Sequence, residues 1–400
     1  MGQGHNSNTK ESQSPDQGIS MEIIEYDTQH RQFRRRLRTF LEKEVAPFAD
    51  QWEKERIVPK SVWRKMGKEG FLCPCVSETY GGVGGDFRYA LIITEEMSRT
   101  RQMGLAATLH SDIVVPYIEA YASAKQKAKY LPGCISGDII TALAMTEPGA
   151  GSDVAGIQTI AVEDGDEVII DGSKTLISNG INADLVVLAA RDPEVKSGHQ
   201  AISLYLVESQ TPGFKRGRQL EKMGLHSQDT AELFFSNCRI HKENRLGEKG
   251  AGFLMMMEKL QQERLSVVLV AIAMAERILE WTIDYLRQPV ASGKSLSKSQ
   301  AVQFALVEMT TEVKLGRTFM EKLVADHIEG KNVVVETSMA KYWTTEMVNR
   351  VADRCLELLG DYGTLESCPV VRAKRDVRVL TIFAGTNEIM KQIAAKFMGL

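Results

Sequence analysis

Apolar side chains recur three or four positions apart from residue 21 to about 140, as at Phe33, Leu37, Leu41 and Val45. This is the period of helices that turn one face to a core. The run SETYGGVGG (77–85) interrupts it and is read as a loop, because glycine loses too much backbone entropy on folding to extend a helix. Between about 141 and 249 the pattern shortens. β-Branched runs such as DEVII (166–170), ADLVVLAA (183–190), AISLYLV (201–207) and AELFFSN (231–237) are separated by turn pairs, among them Asp164-Gly165 and Asp171-Gly172. Runs at this spacing with no helix between them predict an antiparallel sheet, sandwich or barrel. From 253 the helical period returns. Phe253–Gln288 contains no Gly or Pro and predicts a helix roughly 50 Å long at 1.5 Å per residue. Gln300–Ile328 and Val333–Leu359 predict two more, with Gly360 as a C-terminal cap and Thr386 as the N-cap of a last helix. The expected organisation is α+β: a disordered polar tail at 1–20, an N-terminal helical domain at 21–140, a middle antiparallel β-domain at 141–249 and a C-terminal helical bundle at 250–400.

Composition changes this picture little. With 43% hydrophobic and 25% charged residues the chain has ample material for an ordinary core. The formal net charge of −3, taken with an expectation of no basic run, gives no support to nucleic acid or anionic membrane as a partner. The most apolar stretch, Leu265–Ala275, is too short to cross a bilayer. The first twenty residues lack the apolar core of a secretory signal and the arginines of a mitochondrial presequence. A cytoplasmic protein with reduced thiols is therefore expected. Cys73 and Cys75 flank Pro74 in a spacing that could serve a metal or a redox pair; with no second cluster nearby they are read as packing, and no metal site is expected.

Two segments carry candidate chemistry. AMTEPGAGSDVAG (144–156) reads as a strand running into a glycine-rich loop, where Gly149 and Gly151 let main-chain N–H groups approach a ligand and Thr146 and Ser152 offer hydroxyls. No Lys follows these glycines, so the loop is not a nucleotide-binding P-loop. On the long predicted helix Glu263 shares a stripe with Ser266, Val267, Val270 and Met274. A carboxylate on so apolar a stripe is desolvated, which raises its pKa and its strength as a base. The spacing equally allows Glu263 to pair with Lys259 one turn earlier on a solvated face.

MTEPGAGSD, GSKTLISNG (172–180), KMGLHSQDTAELFF (222–235), QQERL (261–265) and IFAGTNEIMK (382–391), in this order, resemble the acyl-CoA dehydrogenase family from about residue 25 to the C-terminus. The resemblance implies three domains in the order given above, FAD as cofactor and a tetrameric assembly. It implies proton abstraction from Cα of an acyl-CoA, hydride transfer from Cβ to the flavin, and an electron-transferring flavoprotein as acceptor. Most members carry the base where this chain has Ala384, which cannot accept a proton. A long-chain and isovaleryl-type branch carries it at the position of Glu263, so Glu263 is the expected base. The resemblance places Met145, Thr146, Gly151, Ser152, Leu176, Ile177, Ser178, Gln300, Thr386 and Glu388 at the cofactor. It places Ser152, Arg264 and Ala384 at the substrate, Ala384 through its N–H to the thioester oxygen. The helix opening at Thr386 and Glu388 presents a positive end suited to an anionic cofactor.

Four positions depart from the pattern. Pro289 and Ser292 stand where the family usually has Arg and Phe in a segment that reaches a neighbouring subunit's FAD, and Glu357 and Asp361 where it has Gln and Gly. Proline cannot replace the bidentate grip of Arg on a phosphate, and it is expected to end the long helix early. A homotetramer that holds FAD through other residues and a heterotetramer with flavin-poor interfaces both remain open. A medium, long or methyl-branched acyl chain is expected, since small Ala384 leaves room beside Cβ, with a trans-2-enoyl-CoA as product. An oxidase of the same fold and a flavin-poor structural subunit are the alternatives.

Overall fold

The computed structural model describes residues 23–289 and 295–400; the expected tail and Ser292 lie outside the described residues. Helix α1 (Thr28–Glu44) starts where the Asp27 carboxylate accepts the His30 N–H at 2.9 Å, and it buries Phe33, Leu37 and Leu41 as their spacing predicts. Helices α2 (Ala49–Glu55) and α3 (Lys60–Lys68) come next. Nearly all of α4 (Arg88–Ser98) is buried: Tyr89, Ile92 and Ile93 enter the core of the N-terminal helices, while Ala90 and Leu91 enter that of the C-terminal helices. A wide π turn at Leu109–Val114 leads into α5 (Val115–Tyr121). Helix α6 (Ala124–Ser136) has a reciprocal Ser123–Gln126 capping box and ends on Gly137 at φ 75°.

Helix α1 corrects the expectation of no basic run, since Arg31, Arg34, Arg35, Arg36 and Arg38 fall within eight residues. The overall charge balance concealed them. Two are neutralised at once: Arg34 pairs with Glu95 at 2.5 Å, and Arg38 with buried Glu96 at 2.8 Å.

The middle strands are β1 (Thr141–Ala144), β2 (Ile160–Asp164), β3 (Glu167–Ser178), β4 (Leu185–Arg191), β5 (Ile202–Glu208), β6 (Phe214–Gln219), β7 (Thr230–His241) and β8 (Arg245–Leu246). They form one sheet in the order β6-β7-β3-β2-β4-β5-β8, with β1 added on β4. Most pairings are antiparallel, as expected. The correction is at β4, which pairs parallel with β1, Thr141 opposite Leu185, and with β2 through Ile160 and Arg191, so the sheet is mixed; the strand read into the glycine-rich loop falls on the preceding residues TALA, and no local pattern carries which strand it pairs with or in which direction.

Helix α7 (Gly252–Arg287) ends two residues before Pro289. It packs against α4 and against α8 (Gln300–Ile328), α9 (Val334–Leu359) and α10 (Pro369–Val377). Gly360 closes α9 at φ 56°, and the Thr386 hydroxyl accepts the Ile389 N–H at 3.4 Å to open α11 (Asn387–Phe397). Among the described residues no acidic, His or Cys cluster could hold a metal, and no helix is long and apolar enough to cross a membrane. All six cysteines are free thiols.

Candidate active site

A cavity of about 450 Å³ opens where the sheet meets both sets of helices. Its sheet side is the loop after β1 together with the end of β3. Lys174, fully buried on β3, donates to the Met145 carbonyl at 3.0 Å and to Glu147 at 2.7 Å. Glu147 also accepts the N–H groups of Gln158 and Thr159 at 2.6 and 2.9 Å. This single ion pair therefore fixes both ends of the loop carrying Thr146, Gly151 and Ser152. Burial lowers the Lys174 pKa to about 8 while Glu147 opposes the shift. A Cβ built on Gly149 or Gly151 meets nothing within 4 Å. The loop thus presents bare backbone to open space.

Helix α7 supplies the opposite wall. Glu263, Ser266, Val267, Val270 and Met274 all line the cavity, so the stripe read from their spacing faces it. Glu263 is 6% exposed, and Lys259 does not pair with it; the Lys259 ammonium lies over the Tyr121 ring, 5.3 Å from its centroid. Instead the buried Tyr117 hydroxyl donates to Glu263 Oε1 at 2.7 Å. Burial raises the Glu263 pKa to about 7, against the opposing effects of the Tyr117 hydrogen bond and the Arg264 charge.

The third wall is the turn before α11. Arg264 Nε donates to the Ala384 carbonyl at 3.4 Å, and the buried Lys341 ammonium donates to the Gly385 carbonyl at 2.7 Å and to Asn387 Oδ1 at 3.1 Å. Neither cation has a carboxylate within ion-pair distance among the described residues. Burial lowers the Lys341 pKa to about 8. Asp376 also faces the cavity, but its Oδ1 accepts the Leu225 N–H at 2.6 Å and so holds that turn in place.

Four non-glycine residues lining the cavity, Ala106, Leu176, Leu225 and Ala384, hold left-handed backbone with φ between 47° and 58°. Each such residue costs about 1–2 kcal/mol, and strain of this kind gathers where tertiary contacts over-determine the backbone. At Leu176 the result is an apolar side chain 60% exposed inside the cavity.

Met145, Thr146, Gly151, Ser152, Leu176, Ile177, Ser178, Glu263, Arg264 and Ala384 all line this cavity. Three expected residues do not. Thr386 and Glu388 face a separate surface hollow, and the Thr386 side chain is engaged in capping α11. Gln300 is exposed at the start of α8, outside this cavity. Glu357 and Asp361 are both exposed. The donor set fits a planar flavin: an uncovered apolar Leu176, the hydroxyls of Thr146, Ser152 and Ser178, and a backbone edge at Gly149–Gly151 left open by missing side chains. Sequence reasoning missed Tyr117, Lys174 and Lys341. Lys341 left a signal, because it falls on the buried α9 stripe of Thr337, Thr344, Thr345 and Val348; for Tyr117 there was none.

Comparison with known proteins gives a consistent result. Family models for the acyl-CoA dehydrogenase N-terminal, middle and C-terminal domains match residues 27–138, 142–238 and 250–399. The long-chain specific acyl-CoA dehydrogenase of Sus scrofa mitochondria is 41% identical over 372 residues, covering 93% of this chain and 86% of that protein. The isovaleryl-CoA dehydrogenase of Oryza sativa is 32% identical over 374 residues, covering 93% and 91%. The crystal structure of an acyl-CoA dehydrogenase from Geobacillus kaustophilus superposes with a TM-score of 0.91 at 51% identity, covering 94% of this chain and 99% of that one.

Proposed function

The chain belongs to the acyl-CoA dehydrogenase family, whose members are FAD-dependent oxidoreductases, and from that premise we propose that it oxidises a medium, long or methyl-branched acyl-CoA to the trans-2-enoyl-CoA with Glu263 as base. We further propose that electrons leave to an electron-transferring flavoprotein and that the assembly is a tetramer. One observation carries the assignment of the base: beside Ala384, which cannot take a proton, the buried Glu263 carboxylate lines the same cavity with its pKa near 7.

FAD, when bound against Leu176, Ile177 and Ser178, supplies the two-electron acceptor that no side chain can provide. Above about pH 7 Glu263 is ionised and can take the Cα proton on its free oxygen, where burial strengthens the attraction for a proton. Charge then develops on the thioester oxygen, and the Ala384 N–H is the donor we assign to it. That N–H is held ready by the strained turn whose carbonyls Arg264 and Lys341 grip. The two cations, both buried, also favour negative charge nearby, because burial strengthens their field.

Purified protein is expected to be yellow with stoichiometric flavin. Octanoyl-, hexadecanoyl- or 3-methylbutanoyl-CoA should bleach it without oxygen, and faster than butanoyl-CoA does. No bleaching by any of them refutes the reading. Rapid peroxide formation in air would turn it toward an oxidase, and colourless protein that gains flavin only with a partner chain toward a heterotetramer.

A further inference from the structure

We propose that Tyr117 is the positioning residue for the base: its hydroxyl holds Oε1 of Glu263 from the protein side so that the other carboxylate oxygen is presented to the cavity. This rests on Glu263 being the base. A glutamate has three rotors, and its neighbours on the stripe offer nothing to fix them. The Ser266 hydroxyl donates back to the Gln262 carbonyl at 3.1 Å, and Arg264 reaches to Ala384. The one hydrogen bond to the Glu263 carboxylate among the described residues comes from Tyr117, at 2.7 Å. Glu263 lines the cavity and Tyr117 does not. The phenol therefore grips from behind and leaves the front free.

The segment that carries Tyr117 is tied to α7 at the preceding residue as well. Gln262 Nε2 donates to the Asp112 carbonyl at 2.6 Å, inside the wide π turn Leu109–Val114 whose Leu109 and Ile113 line the cavity. Such turns gather at functional sites because they shift the register of the helix they lead into. Here the register of α5 is what aims the Tyr117 ring at Glu263. Consecutive residues of α7 are thus fastened to one short stretch of chain, which sets the phenol relative to the carboxylate with little freedom. The other titratable or charged groups around the base are Lys259 and Arg264 on α7, Tyr121 on α5, Asp112 in the π turn, His327 on α8, Lys341 on α9 and Asp376 on α10.

A hydrogen bond to a charged acceptor is stronger than one to a neutral one, so losing the phenol destabilises the ionised base. The test is the anaerobic bleaching rate of flavin-loaded wild type and Tyr117→Phe from pH 5.5 to 9.5, with whichever acyl-CoA of the panel above bleaches fastest. Taking the ratio of the two cancels titrations common to both proteins, Lys341 included. We expect the Phe variant's profile to move up by about one to two pH units, a roughly 10- to 100-fold loss near pH 6 that falls to less than about twofold by pH 9.5. A loss equal at every pH, or none, overturns the proposal, because a merely structural role has no reason to follow the charge on Glu263. If the Phe variant does not fold, 3-fluorotyrosine at position 117 decides. It keeps the shape and strengthens the donor, so the profile must move to lower pH, and an unmoved or raised profile overturns the proposal. Glu263→Gln run alongside separates the failures. If it still bleaches, the assignment of the base falls; if it does not bleach while Tyr117→Phe shows no pH-dependent loss, only the role of Tyr117 falls.

Discussion

Replacing Glu263 with Gln removes the proton acceptor but keeps the length of the side chain and an oxygen that can accept from the Tyr117 hydroxyl. Loss of a general base costs about 10²- to 10⁴-fold in rate, so bleaching by substrate should nearly vanish while flavin stays bound. The same change should raise stability, and the sign can be worked out. The Glu263 carboxyl ionises near 4.5 in the unfolded chain and near 7 in the folded one, because burial disfavours its charge. Below pH 4.5 it is protonated in both states and carries no penalty. As pH rises toward 7 the unfolded chain releases a proton that the folded one keeps, so stability is lost across that window and the full penalty holds above it. At 1.36 kcal/mol per pH unit this amounts to roughly 3 kcal/mol. Gln does not titrate, so the variant should match wild type near pH 4.5 and exceed it by about 3 kcal/mol at pH 8. Urea unfolding at fixed protein and flavin concentrations, run at both pH values beside the bleaching assay, measures both effects. Bleaching above a tenth of the wild-type rate, or a variant less stable than wild type at pH 8, refutes the reasoning.

Lys174→Met leaves Glu147 as an unpaired buried charge under the cofactor loop and should cost about 3–5 kcal/mol in urea unfolding, with part recovered in the double variant with Glu147→Gln. Leu176→Gly relieves a left-handed backbone at φ 58° but removes apolar cover from the cavity. Flavin titration should show weaker binding, while the flavin-free protein melts no lower than wild type. Gly224→Ala would set a Cβ 2.4 Å from the Arg375 carbonyl carbon, so α10 must shift at a cost of about 1–3 kcal/mol; urea unfolding should show this, and the Leu225–Asp376 contact should loosen.

How much of the molecule is legible in the sequence depends on how far each signal travels along the chain. Helix limits are local, and α8 runs Gln300–Ile328 as read, while α7 and α9 each begin or end within a residue of the reading. The facing of Glu263 is also local, since four apolar or small neighbours within eleven positions determine which side of α7 it occupies. Its partner is not. Tyr117 lies 146 residues away, and no periodicity connects a phenol on one helix to a carboxylate on another. The same holds for Lys341, whose burial could be read from its stripe but whose target, the Gly385 carbonyl, depends on the turn before α11.

That turn shows the limit most clearly. By local preference Ala384 and Leu176 would avoid the left-handed region, where glycine sits freely. The fold holds them there because buried donors capture the neighbouring carbonyls and because β3 pairs with β7 through a register shift between Lys174 and Ile177. Local propensity and tertiary structure disagree at these positions and agree along the helices around them. A disagreement that survives in a folded chain needs contacts strong enough to outweigh it, and at Ala384 those contacts come from Arg264 and Lys341, cations of which Arg264 also lines the cavity. The strain and the electrostatics therefore have one source. Removing either cation should disturb backbone geometry and charge stabilisation together, which is why neither role could have been read from the residue's position in the sequence alone.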